Sequence, residues 1–242
     1  SSIYLSFTFK SFSGDSLHDV LLFLKKNGKQ QKPEVVLSFL AKQLRHKLLE
    51  KLRHNECSLK YCMALFAPWI DYPLDPYSPY LSTWYEILGR ELTWFPPLKK
   101  VIHTIDTTLP SLKKEADQFE CLVPYAGSGI ASYVFHHSFG IVTQSSDKKE
   151  DPLWNWLKSY HLTFVKKDAW RWVRHLSFEK KLVLLISYPP FIDEGDPNIT
   201  DLLFLREVCS KAVVYAVIYL GREMNGSLGF HKELQQRFFL KK

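Results

Sequence analysis

The residues best placed to do chemistry in this chain are small ones. Gly127 and Gly129 stand between the apolar run Cys121-Leu122-Val123 and a second apolar stretch that begins at Ile130. The first run reads as a buried strand, and glycine lets a backbone turn tightly and approach a ligand with no Cβ in the way. A helix starting near Ser128 would turn its unpaired amides and positive dipole end toward that ligand. Pro124, Tyr125 and Ala126 complete the loop. Taken alone, a Gly-x-Gly pair equally marks an ordinary strand-turn-helix connection.

Two further groups follow in order. Lys167-Asp168-Ala169 comes after the apolar segment Thr163–Lys166, which puts a carboxylate at the C-terminal edge of a strand, where open α/β sheets bind ligands. The same carboxylate is suited to cap a helix beginning at Ala169. The run Lys181-Leu-Val-Leu-Leu-Ile-Ser187 then leads into Tyr188-Pro189-Pro190-Phe191. Two prolines stiffen a strand exit, and an aromatic ring offers a face to a planar substrate. A Pro-Pro pair also simply terminates strands.

In this order the chain resembles the class I S-adenosylmethionine-dependent methyltransferases, over residues 119 to 221. Val123-Pro-Tyr-Ala-Gly-Ser-Gly129 is similar to the family's first motif, in the Asp-Pro-Phe-Ala-Gly-Ser-Gly form of nucleic-acid amino-methyltransferases. It is also similar to the Val-Pro-Gly-Ala-Gly-x-Gly loop of carnosine-type N-methyltransferases. The resemblance implies that Pro124, Tyr125, Ala126, Gly127 and Gly129 hold the amino-acid end of S-adenosylmethionine. It further implies that a polar residue ending the second strand holds the cofactor ribose. Gln144, Ser145 and Asp147 are the candidates, and Asp147 alone carries a carboxylate that meets two vicinal hydroxyls. A polar loop residue explains the same position.

Asp168 resembles the family's adenine-amine acceptor. Tyr188-Pro189-Pro190-Phe191 resembles the Asn/Asp-Pro-Pro-Tyr/Phe motif of enzymes that methylate exocyclic amines, which makes these four the expected catalytic residues. Phe191 suits the stacking role. Tyr188 departs from the pattern, because a phenol lacks the paired donor and acceptor of a carboxamide, and Ser187 is the neighbouring substitute. Val123 stands where the nucleic-acid enzymes often carry an acid, and the tail after Leu220 is short for the family's closing strands.

The elements that must position these groups are legible as periodicities. Strands are expected at Cys121–Val123, Gly140–Thr143, Thr163–Lys166, Leu182–Ser187 and Val213–Leu220, with helices at Ile130–His137, Pro152–Tyr160, Trp170–His175 and Asn198–Lys211. This alternation predicts an α/β fold: a Rossmann-like, mostly parallel sheet with helices on both faces. One helix, Leu228–Phe238, is expected after it.

Upstream the character changes. Val36, Leu37, Leu40, Leu44, Leu48 and Leu52 recur every three or four residues, predicting a helix from Glu34 to about Arg53. Shorter helices are expected around Asp15–Lys25, Leu59–Phe66, Trp84–Leu92 and Leu98–Ile105. Prolines 68, 73, 76 and 79 predict a linker or ordered aromatic loop over 68–80. The organisation expected is a helical N-terminal extension over 1–110 and a methyltransferase-like core over 111–242.

Composition bounds the rest. The 242 residues are 46% hydrophobic, enough for a full core. No apolar run approaches the roughly 20 residues that span a bilayer, and the first residues lack a signal-peptide pattern, so no membrane role is expected. Four irregularly spaced cysteines form neither a disulfide framework nor a zinc site, which favours an intracellular setting, cytoplasmic or nuclear. His136-His137 are helical neighbours that do not face one point, so no metal is expected. Asp193, Glu194 and Asp196 read as a solvated loop capping the next helix rather than as a magnesium site. No nucleophile elbow, phosphate-loop lysine or zincin helix is present.

A net charge of +7 favours a polyanionic partner, although the basic pairs are scattered along the sequence. Three functions therefore stand as expectations. The first is S-adenosylmethionine-dependent N-methylation of nucleic acid, with RNA favoured. The second is a catalytically silent subunit that binds RNA, or a protein partner through the helical N-terminal half. The third is small-molecule N-methylation.

Overall fold

The computed structural model describes residues 22, 24–26, 32–70, 79–93, 99–187, 189, 200–220 and 225–238. The chain divides into two compact units, Ser1–Val101 and Ile102–Lys242. The division falls inside a helix, a few residues before the expected boundary at 110.

In the first unit, α1 (Pro33–Arg53) opens with proline at its first position, where the missing N–H would be unsatisfied anyway. Its predicted stripe is the observed buried face: Val36, Leu37, Leu40, Ala41, Leu44, Leu48 and Leu52. Each such side chain stabilises the fold by about 1.5–3 kcal/mol relative to exposure. The helix stops where Asn55 adopts φ 56° and the Glu56 amide donates back to the Lys51 carbonyl at 2.9 Å. Against α1 packs α3 (Pro79–Glu91), pinned by Arg45 Nη1 donating to the Glu91 carbonyl at 3.1 Å.

Between them lies α2 (Leu59–Ile70). The prolines at 68 and 79 correct the expectation of an irregular 68–80 segment. Pro79 opens α3, where its missing N–H would be unsatisfied anyway, and Pro68 lies in the last turn of α2, where it forgoes one backbone bond just before the helix ends. Residues 71–78 lie outside the described residues. The helix α4 (Lys99–Thr108) carries the division between the units, and a single turn, α5 (Ser111–Lys114), follows.

The second unit is an α/β fold with a five-stranded, all-parallel sheet in the order β3-β2-β1-β4-β5. Its strands are β1 (Phe119–Val123), β2 (Val142–Asp147), β3 (Thr163–Lys166), β4 (Lys181–Ser187) and β5 (Val214–Leu220). The interior strand β4 is apolar from Leu182 to Ile186 because both its faces are covered there, and these residues are fully buried.

One face packs on α6 (Ile130–Phe139), joined to β2 where the Ser132 and Ser145 hydroxyls meet at 2.7 Å. The other face, with Leu122, Leu182, Leu184 and Ile186, packs on α8 (Ala169–Val173), α9 (Thr200–Lys211) and α10 (Leu228–Arg237). A short α7 (Trp154–Leu157) precedes β3. The fold is thus Rossmann-like, as the alternation of elements predicts, with helices on the N-terminal side.

The second strand is longer and later than expected. It runs Val142–Asp147, so Gln144, Ser145 and Asp147 belong to the strand rather than to a loop beyond it. Three of the polar side chains in this interior strand are satisfied: Ser145 by Ser132, the Thr143 hydroxyl by the Ile141 carbonyl, and Gln144 by Glu120 on the adjacent strand.

Candidate cofactor and substrate site

The sheet reverses its winding between β1 and β4. From β1 the chain winds outward through β2 to β3; β4 then returns to the opposite side of β1, and β5 follows it. A crevice opens beyond the strand ends at such a switch point, and it is there that open α/β sheets hold ligands. The loop 124–129 leaves β1 at this position.

The loop is held by backbone bonds: Ala126 N–H donates to the Ser146 carbonyl at 3.0 Å and Gly129 N–H to the Ala126 carbonyl at 2.8 Å. Gly127 and Gly129 both take left-handed φ angles, 51° and 86°, and α6 begins at Ile130 with Gly129 as its N-cap. The two glycines are required for different reasons. A Cβ at Gly129 would lie 2.6 Å and 2.7 Å from the Phe164 ring and 2.9 Å from Leu157, so its hydrogen makes room for protein. A Cβ at Gly127 would meet nothing within 4 Å, and the residue is exposed. Gly127 therefore carries the open face of the loop.

Asp147, at the end of β2, reaches this loop. Its Oδ2 accepts from Gly127 N–H at 2.9 Å and its Oδ1 from Lys149 N–H at 3.1 Å. Each oxygen keeps a further lone pair. The Trp154 indole donates to the Gly127 carbonyl at 2.9 Å and stacks on Phe164 at 5.1 Å, so the loop is braced from both strand neighbours.

Three buried hydroxyls surround the switch point without a hydrogen-bond partner: Tyr125 in the loop after β1, Ser146 near the end of β2 and Ser187 at the end of β4. An unsatisfied buried polar group costs about 1–3 kcal/mol, and such groups are rare unless a ligand or water completes them. Burial, reinforced by the carboxylates of Asp201, Asp168 and Asp147, pushes the Tyr125 phenol well above its ordinary range, so it stays a donor.

Asp168 follows β3. Its Oδ1 accepts from Trp170 N–H at 3.1 Å, capping α8, and its Oδ2 pairs with Lys148 at 3.2 Å. The capping role foreseen for this residue is what the structure displays, with the ion pair added. Pro189 is described and buried; Tyr188, Pro190 and Phe191 lie outside the described residues, as do Asp193, Glu194 and Asp196. The structure thus brings the glycine loop and Asp147 into direct contact, and sets Asp168 on the same edge of the sheet beside Lys148.

Sequence reasoning did not single out two further features. Asp201, fully buried at the start of α9, accepts from Ser227 N–H at 2.6 Å, Ser227 Oγ at 3.0 Å and Leu202 N–H at 2.7 Å. It anchors the N-terminus of α10, whose first turn is capped by Ser227. The second is a basic cavity of about 1010 Å³ lined by Lys148, Lys166, Lys167, Arg171, Arg174 and His175. All of these but Lys148 come from one stretch, residues 166–175, and Lys148 joins them from the segment after β2.

Among the described residues no cluster of His, Cys, Asp or Glu is suited to a metal, and no helix is long and apolar enough to cross a membrane. Burial pushes the Cys62 and Cys121 thiols far up. The chain matches no family model, no curated protein and no solved structure.

Proposed function

We propose that the second unit binds S-adenosylmethionine at the β1/β4 switch point and transfers its methyl group to a nitrogen, with RNA the favoured acceptor. The observation that carries this reading is the open, left-handed Gly127 at the switch point, with three buried hydroxyls that lack a hydrogen-bond partner on the loop after β1 and at the ends of β2 and β4. Such a set of groups fits a polar ligand with many hydrogen-bonding groups, and S-adenosylmethionine has an amino acid, a ribose and an adenine to offer.

In this reading the cofactor supplies an electrophilic methyl group, and the protein supplies alignment. Gly127 leaves backbone space for the amino-acid end. Asp147, already fixed by the Gly127 and Lys149 amides, turns its remaining lone pairs to the ribose hydroxyls. Ser187, with an unpartnered buried hydroxyl at the end of β4, stands just before Tyr188, the position at which the family pattern has Asn or Asp, and accepts from the target amine in its stead. Pro189 stiffens the chain just beyond it, and Tyr188, Pro190 and Phe191 complete the acceptor side. An in-line approach of a neutral amine needs positioning and desolvation more than a strong base.

Calorimetry with S-adenosylmethionine and its demethylated product tests the cofactor half. Low-micromolar binding of either is expected, and no heat at high micromolar concentration refutes the reading. One observation favours a catalytically silent RNA-binding subunit instead: Asp168 caps α8 through Trp170 and pairs with Lys148, a structural role that accounts for its position without a cofactor. Cofactor binding with no methyl transfer to pooled RNA would select that second function.

A further inference from the structure

The cavity at the ends of β2 and β3 has a charge balance that a sulfonium cofactor does not call for. Lys148 comes from the segment after β2, Lys166 and Lys167 from the end of β3, and Arg171, Arg174 and His175 from α8 and the turn after it. Arg171, Arg174 and His175 are spaced three and four residues apart, so they project from one side of that helical turn. Against these cations stands one lining carboxylate, Asp168, and Lys148 occupies it at 3.2 Å. Lys166, Lys167 and Arg171 have no carboxylate partner among the described residues.

All five Lys and Arg side chains are exposed, so they are available to a ligand without unfolding anything. Arg174 is braced over the Trp170 ring at 5.2 Å, which presents a planar guanidinium to the cavity. The volume, about 1010 Å³, lies at the upper end of the roughly 300–1,000 Å³ typical of small-molecule pockets. A cavity this large, open and cationic suits several phosphates in succession rather than one small anion.

We propose that this cavity binds the phosphates of single-stranded nucleic acid, with Lys166, Lys167, Arg171 and Arg174 as the backbone contacts. The proposal deepens the acceptor half of the function proposed above and rests on it for the choice of nucleic acid over other polyanions. Cations on one rim replace condensed counterions, and the guanidinium of Arg174 offers a face on which an unpaired base stacks.

Fluorescence anisotropy of the full chain with a labelled 12-nucleotide single-stranded RNA tests it. The double variant Lys166→Gln/Lys167→Gln is expected to weaken binding at least tenfold and to reduce the slope of log affinity against log salt by about 1.4, two contacts at roughly 0.7 each. The variant Lys42→Gln/Lys47→Gln, with the same charge change on the exposed side of α1, is expected to bind as the wild type does. An equal loss in both variants, or no loss in the first, overturns the proposal. So does binding of inorganic pyrophosphate or ATP with no binding of the RNA. Calorimetry with S-adenosylmethionine on the same proteins keeps the two readings apart. RNA binding lost with cofactor binding kept assigns the cavity and spares the methyltransferase reading; RNA binding through the cavity without cofactor binding removes that reading and leaves the phosphate site standing.

Discussion

Replacing each of the two loop glycines by alanine separates a packing requirement from a ligand requirement. At Gly129 the new methyl would sit 2.6 Å from the Phe164 ring and 2.9 Å from Leu157, on a residue with φ 86°. The left-handed conformation costs an alanine about 1–2 kcal/mol, and forcing a methyl into a packed core adds about 1–3 kcal/mol. Gly129→Ala is therefore expected to destabilise the second unit by about 2–5 kcal/mol, a large part of the roughly 5–15 kcal/mol that holds a domain together. At Gly127 the methyl meets nothing within 4 Å, so only the conformational cost of about 1–2 kcal/mol applies. Yet that methyl occupies the open face of the loop, and Gly127→Ala is expected to lose at least tenfold in affinity for S-adenosylmethionine while remaining folded. Urea denaturation followed by circular dichroism measures the first effect, and calorimetry on the folded variant the second. The reasoning is refuted if Gly129→Ala unfolds within about 0.5 kcal/mol of the wild type. It is equally refuted if Gly127→Ala binds the cofactor unchanged where the wild type binds it.

Asp201→Ala leaves the Ser227 and Leu202 amides without their buried acceptor, and a thermal melt is expected to show a loss of about 3–5 kcal/mol, with partial recovery in Asp201→Asn. Asp147→Ala removes the carboxylate that fixes Gly127, and is expected to cost about 1.5–3 kcal/mol of stability and to weaken cofactor binding, whereas Asp147→Asn retains an acceptor oxygen and loses less on both measures. Thiol titration of the native protein with a disulfide reagent at pH 7.5 is expected to modify Cys209 first, since it alone among the four cysteines is partly exposed. Burial also pushes the Cys209 thiol up, so that phase is slow, it disappears in Cys209→Ala, and Cys57, Cys62 and Cys121 react only on unfolding.

The layout of the fold was legible because most of its elements follow the rule that burial sets periodicity. The run Leu182 to Ile186 of β4 is apolar because helices cover both its faces, and the stripe of α1 repeats at helical spacing because one face is buried. The second strand escaped because that rule fails there. Gln144-Ser145-Ser146-Asp147 reads as loop beyond a strand ending at Thr143, yet it pairs in parallel with both β1 and β3. The partners that make such a strand tolerable, Ser132 from α6 and Glu120 from β1, are remote in sequence and carry no local signal. Prolines misled in the opposite direction: a helix end tolerates what its interior does not, and sequence alone does not place Pro68 and Pro79 at ends.

The site shows the same division between local and assembled signals. A glycine loop is a local signal, and it lands at the switch point. Its two glycines look alike in sequence but not in space, since only the approach of Phe164, contributed by β3, gives Gly129 its packing role. The basic cavity is local in part and assembled in part: Lys166, Lys167, Arg171 and Arg174 stand in one stretch, but nothing in the sequence ties Lys148 to them until β2 and β3 lie side by side and end together, Asp147 opposite Lys166. Adjacent residues at that end then serve opposite sides of the crevice. Asp147 bonds the glycine loop, while Lys148 pairs with Asp168 on the rim of the cavity. The end of β2 is thus the junction between a cradle whose carboxylate is suited to a cofactor and a cationic surface suited to phosphate, and the two readings of this unit meet at one peptide bond.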